Sequence, residues 1–370
     1  MGQSTQATGT ASISMGQSTQ ATGTASTALG NSTTASGAGS TAGGTHTAAS
    51  GEYSMAFGSY STASQYASMS VGQHTDALGT ASIAFGYYAS ASGYASMAVG
   101  RNTIASGDYS NALGNYTTAS GEASITAGRN TVASADYSTA FGDAGTASGY
   151  VSTALGRNTL ASGSYSTSIG YSTQARGYGS LAGGLSSAAS GVLSTSIGND
   201  ITAPSAFETV IGQFNTNYTP ADSIDWDASD RLFVIGNGTG DASRSNAVTV
   251  LKNGNVGIGT ASPNEELEVN GNTVLNGALN WGGVSTSSVV GSNIVYSITI
   301  DGVDSYTAGL YLAFQADASN THLPQLSING MTAKDIKNAD ATGISVSDIK
   351  ANGLMVLIYN GTEFRWVSKY

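Results

Sequence analysis

Between residues 2 and 212 the chain repeats itself every fourteen residues. Glycine returns at Gly2, Gly16 and Gly30 through Gly198 and Gly212, serine from Ser12 to Ser194, and alanine from Ala7 to Ala189, each column unbroken at that spacing. A second glycine column runs half a period out of phase through Gly9, Gly23, Gly37 and Gly51, and resumes at Gly79 after Gln65. Fourteen residues are too few for a helical repeat, which takes about 30 to 47. They suffice for one coil of a narrow solenoid with two short strands and two tight turns, the glycines being expected to supply positive φ at the corners. Stacked at the strand spacing, about fourteen such coils make a rod roughly 65 to 70 Å long.

Composition supports an unusual architecture. Only 9% of the 370 residues are Asp, Glu, Lys or Arg, against about 25% in an ordinary soluble domain. Disorder is excluded by 19 tyrosines and by regularly placed Val, Ile, Leu and Phe. The lack of cysteine removes disulfide scaffolds and thiolate metal sites, and a net charge of −11 argues against a nucleic-acid partner. No stretch of about 18 apolar residues is present, so membrane insertion by a helix is not expected. All four prolines, all three tryptophans and all five lysines follow residue 200, which divides the chain into a repetitive part and a different remainder.

The columns also assign faces. In half-repeats such as SMAFG (54–58) and SMAVG (96–100), Ser and Ala alternate on one face and must point into the coil, where space is small. The opposite face carries Phe57, Val71, Phe85, Val99, Leu113, Phe141, Leu155, Ile169 and Ile197, together with Met55, Met69, Ile83 and Met97. In half-repeats such as TIASG (103–107), Thr and Ala point inward and the outer face is mostly polar. A continuous apolar stripe of that length exceeds what a soluble monomer exposes, so it is expected to be covered by copies of the same chain. Three-fold packing is the simplest arrangement that gives every stripe two neighbours. The nine residues from Phe57 to Ile197 are accordingly the candidate trimer interface.

The alternation S-x-A-φ-G and T-x-A-S-G (φ here an apolar residue) at a fourteen-residue period, over residues 1 to about 212, resembles the head repeats of the trimeric autotransporter adhesins, the YadA-like head. That resemblance implies an all-β, trimeric, left-handed parallel β-roll. The rest of the chain departs from those adhesins, having neither a heptad coiled-coil stalk nor a C-terminal membrane barrel. Residues 231–238 (RLFVIGNG) and 245–271 instead resemble a passage found in phage tail-fibre and related bacterial surface-fibre proteins, where it joins a repetitive shaft to a C-terminal module. These residues read as short strands FVIG, AVTVL, NVGIG and LEVNG, with Asn-Gly turns at Asn237, Asn253 and Asn270. In some similar fibres an intramolecular chaperone follows; none is expected in this sequence.

From there the pattern becomes that of a compact β unit. NIVYSITI (293–300), GLYLAFQA (309–316), LPQLSING (323–330) and GLMVLIYNGTEFRWV (353–367) alternate as strands, the last turning at Asn360-Gly361, while AKDIK and ISVSDIK suggest further short strands or a helical turn. The ending YNGTEFRWV is similar to that of many phage fibre tips. The expected organisation is thus a shaft over 1–200, a β-rich linker over 201–280 and a β tip over 281–370. Aromatic residues near the end and irregular loops make the tip the expected receptor-binding part, with Tyr306, His322, Trp366 and Tyr370 as candidate contacts.

Motifs for chemistry are weak. Asp225, Asp227 and Asp230 in DWDASD offer carboxylates to a calcium ion, but they lack the glycine and distal Glu of a calcium loop, and a solvated turn explains them as well. His46 and His74 share one column with Tyr60, Tyr88, Asn102 and Asn130, which reads as a surface turn, and His322 stands alone in a loop. GNGTGD (236–241) lacks the Lys-Ser/Thr and the helix of a phosphate loop, and no nucleophile elbow accompanies any Ser. Ice binding needs two outward Thr columns, whereas these Thr residues alternate on the inward face. No catalytic residue, metal site or cofactor is expected.

The reading that follows is a homotrimeric fibre, not an enzyme. It attaches a phage or a phage-tail-like contractile injection particle to a glycan or envelope protein of a target cell, and joins a baseplate or other particle protein through an N-terminal part outside this sequence. The alternative is the head passenger of an autotransporter adhesin on a bacterial cell surface. No nucleic-acid partner is expected in either case.

Overall fold

The computed structural model describes residues 2–273, 285–300 and 303–367, and the chain divides into two compact units, Met1–Asn272 and Thr273–Tyr370. The fold is all-β; among the described residues the one helical element is a single 3-10 turn, Asp241–Ser243.

In the first unit each coil supplies a five-residue strand, such as Met69–Gln73, and a two-residue strand, such as Asp76–Ala77. The long strands run from Ile13–Gln17 to Thr209–Gln213 and the short ones from Gln6–Ala7 to Thr202–Ala203. Every strand pairs in parallel with its equivalent one coil on, without slippage: Met69 lies beside Ile83, Gly72 beside Gly86, and Asp76 beside Ser90. Two parallel sheets result, facing each other across an interior too narrow for anything larger than Ala, Ser or Thr. Ala28, Ala35, Ala98 and Ala105 are fully buried, as are Ser26, Ser54, Thr33 and Thr103. The inward faces are therefore those the alternation predicts.

The corners depart from the expectation that glycine alone makes them. The first glycine column has positive φ from Gly16 to Gly184 and at Gly212, 112° at Gly58, but the second does not. In the second, glycine is favoured by proximity, since a Cβ on Gly37 would lie 1.9 Å from the carbonyl oxygen of Gly51 in the next coil, and where Gln65 or Ala135 replaces it the backbone has to shift. The left-handed corners fall every seven residues, mostly on side chains that ordinarily avoid that region, such as Ser32, His46, Tyr53 and Tyr60 at φ between 54° and 57°. Stacking offsets this strain. The His46 N–H donates to the Asn31 carbonyl at 2.9 Å and the Tyr53 N–H to Ala38 at 2.8 Å, so each corner is tied to the coil before it.

After Thr209–Gln213 residues 214–230 leave the coil path, and Arg231–Asn237 returns to stack in parallel, with Gly236 beside Gly212. The sheet then reverses: Asn246–Leu251 and Val256–Ile258 add antiparallel, and Leu267–Val269 adds parallel. Here the interior widens to hold Ile201, Val210 and Val234. Of the three Asn-Gly pairs, Asn253-Gly254 makes a hairpin turn closed by Gly254 N–H to Leu251 carbonyl at 3.1 Å. Asn237-Gly238 opens a longer loop, and Asn270-Gly271 follows the last strand.

Among its described residues the second unit forms one curled sheet of seven strands. Their order is Thr286–Val290, Asn293–Ile298, Leu323–Ile328, Lys334–Asn338, Phe364–Trp366, Leu354–Tyr359 and Tyr311–Gln315. The alternating segments appear as expected, AKDIK forms the strand Lys334–Asn338, and ISVSDIK forms none but buries Ile344 and Ile349. Tyr296, Phe314, Leu326, Ile336, Leu357 and Phe364 fill the core. The two outermost strands are brought together at one end. Ser285 N–H donates to the Gln315 carbonyl at 3.0 Å, and the Asp317 carboxylate accepts from the Ser285 hydroxyl at 2.7 Å and the Ser287 N–H at 2.8 Å. Burial raises the Asp317 pKa, but these donors outweigh it and hold the carboxyl below its usual range.

Candidate functional surfaces

The first surface is the apolar column of the long strands. Parallel, in-register pairing places Phe57, Val71, Phe85, Val99 and Leu113 in one row along the stack. The row continues through Phe141, Leu155, Ile169 and Ile197. Phe85 is 51% exposed, Ile169 and Ile197 are about as open, and Phe57 and Phe141 are exposed too. Val71, Val99, Leu113 and Leu155 are half-buried by their neighbours in the row. Where the row holds glycine an adjacent large side chain leans over it: a Cβ on Gly43 would meet the Phe57 ring at 2.8 Å. The row is thus continuous apolar surface, with nothing among the described residues of the first unit covering it.

Two edges flank this face. The edge after the long strand carries, in the column expected to be a surface turn, a stack of rings: His46, Tyr60, His74 and Tyr88 lie face to face at 4.7, 4.9 and 4.7 Å, within 5° of parallel. The coil spacing, set by the backbone, coincides with a comfortable ring separation. Further along the same edge Asp143 pairs with Arg129 at 2.6 Å and lies 3.7 Å from Arg157, and the Arg129 pairing lowers the Asp143 pKa. The edge before the long strand carries edge-to-face tyrosines, Tyr137 with Tyr150 and Tyr150 with Tyr165, at 5.8 and 5.6 Å. The fourteen-residue spacing of His46, Tyr60, His74 and Tyr88 was the signal for the first ladder; the tyrosines of the second alternate between two adjacent columns, 13 and 15 residues apart.

Beyond the last regular coil lies a buried polar cluster. Glu208 stands in the column that holds Ser in earlier coils, and is fully buried. Its Oε2 accepts from Ser205 N–H at 3.0 Å and Tyr218 hydroxyl at 3.2 Å, while Oε1 has no partner. Burial pushes its pKa up to about 7, against the pull of the Ser205 N–H and of Arg231. The DWDASD carboxylates do not converge on a common point. Asp230 is buried, accepting from Ala221 and Asp222 N–H groups with Lys252 Nζ 3.8 Å away, whereas Asp227 is engaged by Ser229 and Asp225 is exposed. Among the described residues no group of three or more His, Asp or Glu side chains is placed to hold a metal ion.

In the second unit, Tyr306 is half-buried, its ring 5.3 Å from Tyr359 and 5.5 Å from Phe364, and its hydroxyl accepts from Ile328 N–H at 3.2 Å. Its open side lines a shallow depression with Asp304, Met331 and Lys334. His322 is half-buried, with a ring nitrogen 2.9 Å from the Thr321 hydroxyl. Trp366 is 7% exposed and belongs to the core, so its ring is not presented to solvent; the alternation Phe364-Arg365-Trp366 carried that signal, since Phe364 is buried on the same face. Tyr370 lies outside the described residues. A cleft of about 180 Å³, lined by Leu323, Pro324, Ile336, Lys337 and Ile344, is a feature of this unit that sequence reading did not single out.

Overlapping windows of the shaft, covering residues 7–47, 49–75, 77–144 and 147–187, match the family profile of the YadA head domain repeat. They span just under half of the chain, and the shaft is therefore built of YadA-like head repeats. No curated protein matches the chain. No helix among the described residues is long and apolar enough to cross a membrane.

Proposed function

We propose that this chain forms a homotrimeric, surface-exposed, adhesin-like fibre whose second unit engages a target cell. The observation that carries the reading is the exposed apolar row on a shaft of YadA-like repeats, which are known to form homotrimers. Such a row, left in water, is a liability for a monomer and an interface for a trimer. The finer reading is a tail fibre of a phage or of a contractile injection particle, supported by the fibre-like residues 231–271 and the ending YNGTEFRWV. A second reading, the head of an autotransporter adhesin, is favoured by the family match of the shaft itself. In both, the protein works outside the cell, by adhesion and without catalysis.

Light scattering on the full chain tests the assembly. The expected mass is about three times the 36.9 kDa of one chain, and a stable monomer overturns the reading. Adhesion is tested by comparing the full chain with one ending at residue 272 on target cells. Loss of binding from a truncated chain that is still trimeric is expected; equal binding removes the second unit from the proposal.

A further inference from the structure

In the two columns that flank the long-strand sheet charge is concentrated in one zone, and within it the two edges carry opposite signs; Asp76 and Arg176, elsewhere on the coils, lie outside those columns. On the edge after the long strand, Arg101, Arg129 and Arg157 project from every second coil; on the edge before it, Asp108, Glu122 and Asp136 project from three successive coils of the same stretch, all of them exposed. Asp143, between two of the arginines, leaves that edge positive. N-terminal to the zone the corresponding columns hold one charge between them, Glu52, and C-terminal to it, through Val192 and Asn199, they hold none. The carboxylates are held in place, Asp108 and Asp136 accepting the Tyr94 and Glu122 N–H groups at 2.8 Å.

A cyclic assembly joins two different edges of the same protomer. Covering the apolar face in that way lays the arginine edge of one copy beside the carboxylate edge of the next. We propose that these edges form one heterologous contact between copies of this chain, and that the charged zone sets the axial register of the trimer. The inference rests on the trimeric reading. Its need is physical: coils that repeat every fourteen residues present almost the same apolar row after a slip of one coil, so hydrophobic packing alone discriminates poorly between registers. Opposite charges confined to one zone do discriminate, because a slip sets unpaired charge against neutral coils.

The test uses full-length chains carrying R101E/R129E/R157E, D108K/E122K/D136K, or all six substitutions, followed by sedimentation on dilution at about 20 mM and about 500 mM salt. Each triple variant is expected to dissociate at a concentration at least about tenfold above wild type at low salt, with a smaller gap at high salt. The sixfold variant is expected to recover. Because it keeps the altered surroundings of Asp143, its recovery reads the contact between chains and not the ion pairs within one. A wild-type trimer whose dissociation ignores both reversals and salt, or a sixfold variant no better than either triple, overturns this inference and leaves the trimeric reading standing. A monomeric wild-type chain overturns both.

Discussion

At the scale of single residues, the interior of the shaft shows how little separates a satisfied coil from an unsatisfied one. Where the long strand places Ser inward, its hydroxyl reaches the opposite wall: Ser70 Oγ lies 2.7 Å from the Thr75 carbonyl and 2.8 Å from the Thr75 hydroxyl, and Ser168 meets Thr173 in the same way. Where that position is Ala, a facing Thr hydroxyl is left without a partner, as at Thr103 opposite Ala98 and Thr159 opposite Ala154. A satisfied buried hydrogen bond is worth about 1 kcal/mol and an orphaned group costs at least as much. Ala98→Ser is therefore expected to raise the midpoint of thermal unfolding, by about 1 kcal/mol per chain in stability; a loss of stability shows that the coil cannot admit the extra atom. Glu208 is the opposite case, a carboxyl in a place built for a hydroxyl. Its pKa is raised by burial from 4.5 to about 7, so the folded state binds a proton more tightly than the unfolded one. Stability is then greatest below about 4.5, falls as pH rises to about 7, and is level above, with a total change of up to about 3 kcal/mol. Denaturant titrations between pH 4.5 and 8 are expected to show that slope in the wild type and to lose it in Glu208→Gln; a slope of equal size in the variant assigns it elsewhere.

At the scale of the element, the repeat was legible because every constraint on a coil recurs at one spacing. Inward Ala and Ser, outward Phe and Ile, and the parallel register all follow from columns that a reader can align by eye. The corners were not legible, because φ at Tyr53 or His46 is dictated by a bond to the coil before it and not by the residue itself. Thr286–Val290 was missed for a related reason: it offers two adjacent valines and no alternation, and becomes a strand because Asn293–Ile298 and the Asp317 carboxylate receive it. The two glycine columns allow a sharper statement. A Cβ on Gly107 or on Gly114 would lie 2.1 Å from the carbonyl oxygen of the next coil, which alone predicts equal damage. However, the column of Gly107 admits Gln65 and Ala135, whereas that of Gly114 is glycine throughout and Gly114 has φ of 124°. The backbone in the column of Gly107 can shift, whereas that of Gly114 adds a conformation that L residues resist. Gly114→Ala is expected to cost at least about 3 kcal/mol and Gly107→Ala clearly less, measured by thermal unfolding of the two variants side by side. Equal costs mean that proximity decides both columns and φ neither.

For the whole molecule, the question is whether the apolar row is surface or interface, and a matched pair of substitutions separates the two. Ile169, in the row of the long strand, and Ile104, on the outer face of a short strand, are each 45% exposed in the single chain. A folded monomer treats them alike, and Ile→Thr at either position, on a pleated surface already rich in Thr, changes its stability by a few tenths of a kcal/mol. A trimer closed over the long-strand face treats them differently. Ile169 then becomes buried, and its replacement forfeits about 1 to 2 kcal/mol of apolar burial in each of three chains, together with the cost of enclosing an unpaired hydroxyl. Ile169→Thr is accordingly expected to dissociate at dilutions where wild type and Ile104→Thr remain trimeric, with Phe85→Thr, at the same row, behaving like Ile169→Thr. Should Ile104→Thr prove the disruptive one, the copies meet through the short-strand face, and the arginine and carboxylate edges, which flank the other sheet, lose their place in the contact. If neither substitution alters a wild-type trimer, the second unit holds the copies together and the row along the shaft is free for a different partner.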